Sequence, residues 1–254
     1  MHPAELGELE AFRDLFAAAP AGGSARAATV GGALCIRVDE LPAIELNRVL
    51  GLGLAEPADE EALAALERFF GGPPPCVSVA PGARPPELTT WLERRGLRPG
   101  YAWTKFVREA TRVSPPGSAL RIERLSDGVP LARAFVAGYG LPPALVPWFA
   151  ALAPRERWHC YVAFDGDEPA GAGALYVHGE VGWLGMAATV PAHRGKGAQS
   201  AILAARIDAA AAAGCTVVVT ETGSPLDGRP GQSYRNILKA GFEPAYERAN
   251  YVRG

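Results

Sequence analysis

Thr189-Val190-Pro191-Ala192-His193-Arg194-Gly195-Lys196-Gly197-Ala198-Gln199-Ser200 joins an apolar, strand-like run to an alanine-rich helix. The first turn of a helix has no internal acceptors for its N–H groups, so a chain turning through Arg-Gly-Lys-Gly aims several of them at one point. The helix end adds partial positive charge, and glycines let a ligand approach the backbone. The stretch reads as a cradle for phosphate. Its spacing, Arg194-x-x-Gly197-x-Gln199, is neither G-x-x-x-x-G-K-[ST] nor G-x-G-x-x-G, the fingerprints of nucleotide-binding loops.

The elements around the cradle follow from periodicity and turn residues. Residues 120–125 read as a strand, and 129–137 and 144–152 as short helices separated by Gly-Leu-Pro-Pro. A strand at 158–164 precedes a hairpin of 170–177 and 182–190 around His178-Gly179-Glu180. The helix runs from about Lys196 to Ala213, with Ala198, Ile202, Ala205, Ala209 and Ala212 on one apolar stripe. Gly214 stops it, and the β-branched run 215–220 reads as a strand covered on both faces. Strand, helix and buried strand make a right-handed crossover between parallel strands. The fold class is therefore α/β, with a mixed, mostly antiparallel sheet and one parallel β-α-β crossover.

The loop and this order of elements resemble the GNAT superfamily of acyl-CoA-dependent N-acyltransferases, whose loop pattern is Arg/Gln-x-x-Gly-x-Gly/Ala. Gln199 departs from that pattern. The resemblance covers roughly residues 118–254 and includes Gly241-Phe242-Glu243-Pro244, similar to the family's "GF" turn. It implies acetyl-CoA as cosubstrate, with the backbone of Gly195, Lys196, Gly197, Ala198, Gln199 and Ser200 holding the pyrophosphate. Arg194 and Lys196 would add charge. Ala187, Ala188 and Thr189, ending the preceding strand, would pair with the pantetheine arm and supply an oxyanion N–H. Asn236 and Ser233 open a later helix and would either bond the cofactor or cap the helix.

Acyl transfer from a thioester to an amine also needs a base and an acid. Glu221 is the first candidate base, because ligands sit at the C-terminal ends of strands in open α/β sheets; Glu180 is the second. His159 and His178 are read as structural. Many family members carry an acidic tyrosine five residues before the Phe of the "GF" turn. Here that position is Ile237, so Tyr234, nearly one helical turn away, is the candidate acid, with packing as the competing role.

The N-terminal half carries a weak repeat. Residues 96–108 match 241–253 at a constant offset of 145, with Gly, Pro, Tyr, Val and Arg recurring. Each copy follows an amphipathic helix ended by glycine (86–95 and 232–240), and each reads as a strand pair. Two tandem GNAT-like domains are expected: 1–110 degenerate and without cofactor, 111–117 a Pro/Ser-rich linker, and 118–254 catalytic. Arg48-Val49-Leu50-Gly51-Leu52-Gly53 satisfies Arg-x-x-Gly-x-Gly literally, yet Glu56, Asp59, Glu60 and Glu61 follow it. Carboxylates there repel a pyrophosphate.

With 254 residues, 48% hydrophobic and 20% charged, the chain can bury real cores, and a net charge of −2 without a basic block argues against nucleic acid or a membrane surface as partner. Cys35, Cys76, Cys160 and Cys215 are scattered without a C-x-x-C pair, as for reduced buried thiols. The histidines show no metal-ligand spacing, so no metal is expected. No signal-like start or apolar span appears, which fits a cytoplasmic enzyme. The expected partner is a small-molecule or peptide amine, its identity open. Two rival readings are a catalytically silent acyl-CoA-binding regulator and a protein-interaction module.

Overall fold

The computed structural model describes residues 1–39, 41, 43–113 and 117–253. The chain folds into two compact units, Met1–Lys105 with Ala245–Gly254, and Phe106–Pro244.

The first unit begins with α1 (Pro3–Ala17), capped by the His2 ring, whose Nδ1 accepts from the N–H of Ala4 at 3.1 Å. Then come β1 (Ala25–Val30), β2 (Ala33–Val38), β3 (Arg48–Leu50), α2 (Glu60–Phe70), β4 (Cys76–Val79), α3 (Leu88–Arg94) and β5 (Leu97–Glu109). β1, β2 and β3 pair antiparallel, whereas β4 lies parallel to β3, so β3–α2–β4 is itself a crossover. The C-terminal segment closes this unit, with Ala249 opposite Val79 and Val252 opposite Cys76. Leu63 and Leu66 of α2 pack with Cys35, Val49 and Val77 in the core. Beneath α1, the buried Glu8 carboxylate accepts from Arg48 (2.8 Å), Lys105 (2.6 Å) and Arg248. Burial opposes its ionisation, but the charges of Arg248, Lys105 and Arg48 hold its pKa well below the usual carboxylate range.

The second unit contains β6 (Arg121–Leu125), α4 (Val129–Tyr139), α5 (Val146–Ala150), β7 (Trp158–Asp165), β8 (Glu168–His178), β9 (Val181–Thr189), α6 (Ala198–Ala212), β10 (Val217–Gly223) and α7 (Gln232–Lys239), and leads into β11 (Glu243–Arg253). Its strands lie in the order β10-β9-β8-β7-β6, antiparallel except for the parallel β9–β10 pair. The expected crossover is therefore present. Leu175, Leu184, Leu203, Ile207, Val218 and Phe242 form its main core.

Four details differ from the sequence reading. Residues 96–108 and 241–253 form one long strand each, not strand pairs. Gly96 and Gly241 do end their helices, at φ 81° and 80°. Gly100 lies inside β5: a Cβ on it would lie 2.8 Å from Cγ2 of Val252, so glycine is there for close approach. Residues 245–254 belong to the first compact unit, because this segment pairs with β4, and 106–113 and 117 belong to the second. Of the linker, Ser114, Pro115 and Pro116 lie outside the described residues, while Val113 is tied to α6 by its N–H bond to Asp208 Oδ1 at 2.9 Å.

The other two differences concern α6 and the strand that follows it. The strand runs from Val217 to Gly223 rather than 215–220, because the Cys215 N–H still closes the helix end on the carbonyl of Ala210. The buried face of α6 is set by Ile202, Leu203 and Ile207 with small alanines and Arg206; Ala209 packs against this core, Ala205 is only half-buried, and Ala212 is exposed. In so alanine-rich a helix the large side chains choose the face.

Candidate active site

β9 ends at Thr189, passes through a short 3-10 turn at Pro191–His193, and enters α6 through Gly195 and Gly197 at φ 82° and 85°. That left-handed pair suits glycine alone and folds the chain back over its own end. Gly197 is the N-cap of α6 and offers no side chain, so the N–H groups of residues 195–200 have no acceptor among the described residues. No acidic residue occupies the first turn. Around Gly195 a Cβ would meet nothing within 4 Å, so the donors face open space. Unpaired amides and the helix field together are the features that suit an anion.

These donors border a cavity of about 630 Å³. Of the expected cofactor residues, Ala187, Ala188, Thr189, Arg194 and Gly195 line it, as do Gly197, Ala198, Gln199, Ser200 and Asn236. Lys196 does not. Its ammonium is held by Asp165, which also bonds His193 Nδ1 at 2.9 Å; these bonds from Lys196 and His193 lower the Asp165 pKa.

β9 also leaves an edge for a ligand. Its ladder with β10 spans only Val181, Gly182 and Trp183, and Thr220 Oγ1 then donates to the carbonyl of Leu184 at 2.8 Å. Beyond that point the register with β8 shifts between Ala172 and Ala174, and Met186 sits at φ 51°. A bulge with a strained non-glycine residue beside a cavity is a common device for re-aiming backbone donors. Gly138 of α4 comes so close that a Cβ would lie 2.6 Å from that of Ala188.

Gln199 has a partner that its place in the loop did not reveal. Its Nε2 donates to Ser233 Oγ at 3.0 Å, and its Oε1 accepts from Asn236 Nδ2 at 2.7 Å. The side chain thereby ties the start of α6 to α7. Asn236 keeps a further bond, accepting from Gln232 Nε2 at 2.8 Å.

The two expected catalytic residues lie outside the cavity lining. Tyr234 packs edge-on against Phe106, with ring centroids 4.9 Å apart, as part of the core between α7 and the sheet. Ile237 is buried in the same core. Glu221 sits within β10, half-buried, two residues before its end. The residues missed from sequence are Tyr139, at the end of α4, and Arg206, buried in the middle of α6. Arg206 stands between Leu203 and Ile207 on the apolar face, and that placement was the available signal.

Residues 132–228 match the acetyltransferase (GNAT) family. The GNAT fold is an acyl-CoA-binding fold and supports acyl transfer from acetyl-CoA. A solved GCN5-related N-acetyltransferase from Kribbella flavida is similar over 99% of this chain and 95% of its own, with TM-score 0.60 and 15% identity. A tandem GNAT protein from the clavulanic acid biosynthesis pathway is similar over 89% of this chain and 79% of its own, with TM-score 0.57 and 15% identity. For a GCN5-related N-acetyltransferase from Sphaerobacter thermophilus the match covers 69% of this chain but 58% of that one, with TM-score 0.54 and 16% identity. No curated protein matches the sequence. Whole-chain similarity to GNAT structures extends the likeness to the N-terminal half as a GNAT-like repeat. Among the described residues, no helix is long and apolar enough to cross a membrane, and no group of three His, Cys, Asp or Glu could hold a metal.

Proposed function

We propose that the chain transfers an acetyl group from acetyl-CoA to a primary amine of a small-molecule or peptide acceptor, by direct attack in a ternary complex. The observation carrying this reading is the run of unpaired N–H groups at 195–200, opening on a cavity that continues along the free edge of β9. Those amides and Arg194 hold the pyrophosphate. Ala187, Ala188 and Thr189 pair with the pantetheine arm as an added strand does, and an N–H of the bulged segment stabilises the oxyanion.

The thioester supplies an activated carbonyl carbon and a tolerable leaving group. The amine nitrogen bonds to that carbon, the carbon–sulfur bond breaks, and the ammonium proton passes to water. Among the described residues no carboxylate lines the cavity, so Glu221 receives that proton through water rather than directly. With its ring in the core, Tyr234 does not protonate the departing thiolate, which takes its proton from solvent.

The placement of Tyr234 and Ile237 favours one rival, an acyl-CoA-binding regulator without turnover. Calorimetry with acetyl-CoA, followed by thiol release across a broad amine panel, separates the two. The enzyme binds and releases thiol with at least one amine. Binding without release across the panel establishes the regulator. Gly197→Trp fills the cradle and should abolish binding in a folded protein; unchanged affinity in that variant removes the basis of both readings.

A further inference from the structure

We infer that Arg206 makes the inner end of this cavity a carboxylate site: either the transferred acyl group or the acceptor amine carries a carboxylate that the guanidinium receives. The inference rests on the acyltransferase reading above and adds a substrate class to it.

Arg206 is 2% exposed and lies nine residues into α6 from Gly197, about 14 Å along the helix axis by its rise per residue. It is therefore a second positive centre, distant from the cradle that would take the pyrophosphate. Its Nε donates to the carbonyl of Ile202 at 3.3 Å, and its Nη1 to those of Ala174 (3.1 Å) and Gly185 (3.0 Å). Gly173 makes room for it, since a Cβ there would lie 3.0 Å from the guanidinium carbon. Nη2 makes no hydrogen bond among the described residues, and the side chain lines the cavity.

Three carbonyls orient this cation, but none neutralises it. Arg206 forms no ion pair among the described residues, and the cavity lining contains no Asp or Glu. The titratable groups that act on it are the phenols of Tyr139 and Tyr161. Burial lowers its pKa to about 10, which leaves it charged at neutral pH. A buried charge without a counter-ion is costly, and in a ligand cavity the missing anion is the ligand's. A planar guanidinium with two unused N–H groups on one nitrogen suits a carboxylate, whereas a neutral carbonyl would leave the charge uncompensated.

The carboxylate has two possible sources, and two arms distinguish them. In the first, calorimetry compares acetyl-CoA with malonyl-CoA and succinyl-CoA. In the second, acetyl transfer is compared between amino acids and the amines left when their carboxylates are removed. At least a tenfold preference for the carboxylate-bearing partner is expected in one arm, abolished in Arg206→Met and reduced in Arg206→Lys. Should Arg206→Met fail to fold, the wild-type comparison and Arg206→Lys still decide the matter. Acetyl-CoA binding without a preference in either arm overturns the inference and leaves Arg206 as a prop for the Gly185 carbonyl. A preference that persists undiminished in Arg206→Met or Arg206→Lys overturns it as well. Failure to bind any acyl-CoA defeats the acyltransferase reading itself, which is a different result.

Discussion

Arg48–Gly53 and Arg194–Gly197 satisfy nearly the same formula, and both place two glycines at positive φ between a strand and a helix. Their surroundings differ in every respect that matters to an anion. Gly195 faces open space, whereas a Cβ on Gly53 would lie 2.6 Å from the carbonyl oxygen of Arg84. The chain at Ala83–Arg84 fills that cradle, with Arg84 N–H bonded to Gly53 and Ala58 N–H to Arg84, at 2.9 and 2.8 Å. Asp59 caps α2 by accepting from Ala62 at 2.7 Å, and Glu60 and Glu61 follow, so the donors and the positive field are already used. Arg48 turns inward to Glu8, beneath the rings of Phe12 and Trp103, while Arg194 is exposed at the cavity. A spacing motif becomes a site only where its donors remain unspent and the space beside them is empty.

The widest predicted gap between the loops is in the arginines. Arg48→Ala removes one of the three buried cations on Glu8, leaving Lys105 and Arg248, and should cost about 3 kcal/mol of stability, read from the urea midpoint. Arg194→Ala should stay within about 0.5 kcal/mol in the same assay. Equal losses would break the comparison. The same cluster predicts acid sensitivity. Because the folded pKa of Glu8 is depressed, its contribution is full above its unfolded value of about 4.3 and lost as pH falls through the folded value. Thermal melts should therefore fall below about pH 4, and a flat profile there would show that Glu8 does not anchor the fold.

Smaller effects separate the glycines and the glutamine. Gly53→Ala adds a backbone clash to left-handed strain and should cost about 2–3 kcal/mol, against about 1–2 for Gly197→Ala, which meets strain alone. Similar losses at both positions would mean that the first cradle is not filled. Gln199→Ala removes the bridge to Ser233 and Asn236, for about 1 kcal/mol in stability. Acetyl-CoA affinity should be unchanged, since alanine is what the family's loop prefers. A tenfold weakening would instead place Gln199 among the ligand's direct partners.

Much of the second unit was legible because its signals are local. The hairpin, the crossover, the helix stop at Gly214 and the open turn at 195–197 each depend on a few neighbouring residues. What failed depended on neighbours distant in sequence. The repeat at 96–108 read as a strand pair, but it is one strand, in which the close approach of Val252 accounts for Gly100. Tyr234 was at a plausible helical offset for an acid, yet Phe106, which lies 128 positions earlier, holds its ring in the core. Arg206 was not singled out from sequence, because its partners are carbonyls of β8 and β9.

By itself the sequence determined the strand–glycine–helix turn and its unpaired amides, since their directions follow from a few successive backbone dihedrals. The acidic run after Gly53 was also enough to mark the first loop as the poorer anion site. Tertiary structure alone decided that Ala83–Arg84 fill that loop, that Gln199 reaches α7, and that the buried charge of Arg206 borders a cavity lined by no carboxylate among the described residues. The reason is physical. Backbone direction is a local property, whereas desolvation and charge compensation depend on everything packed around a group, from any part of the chain.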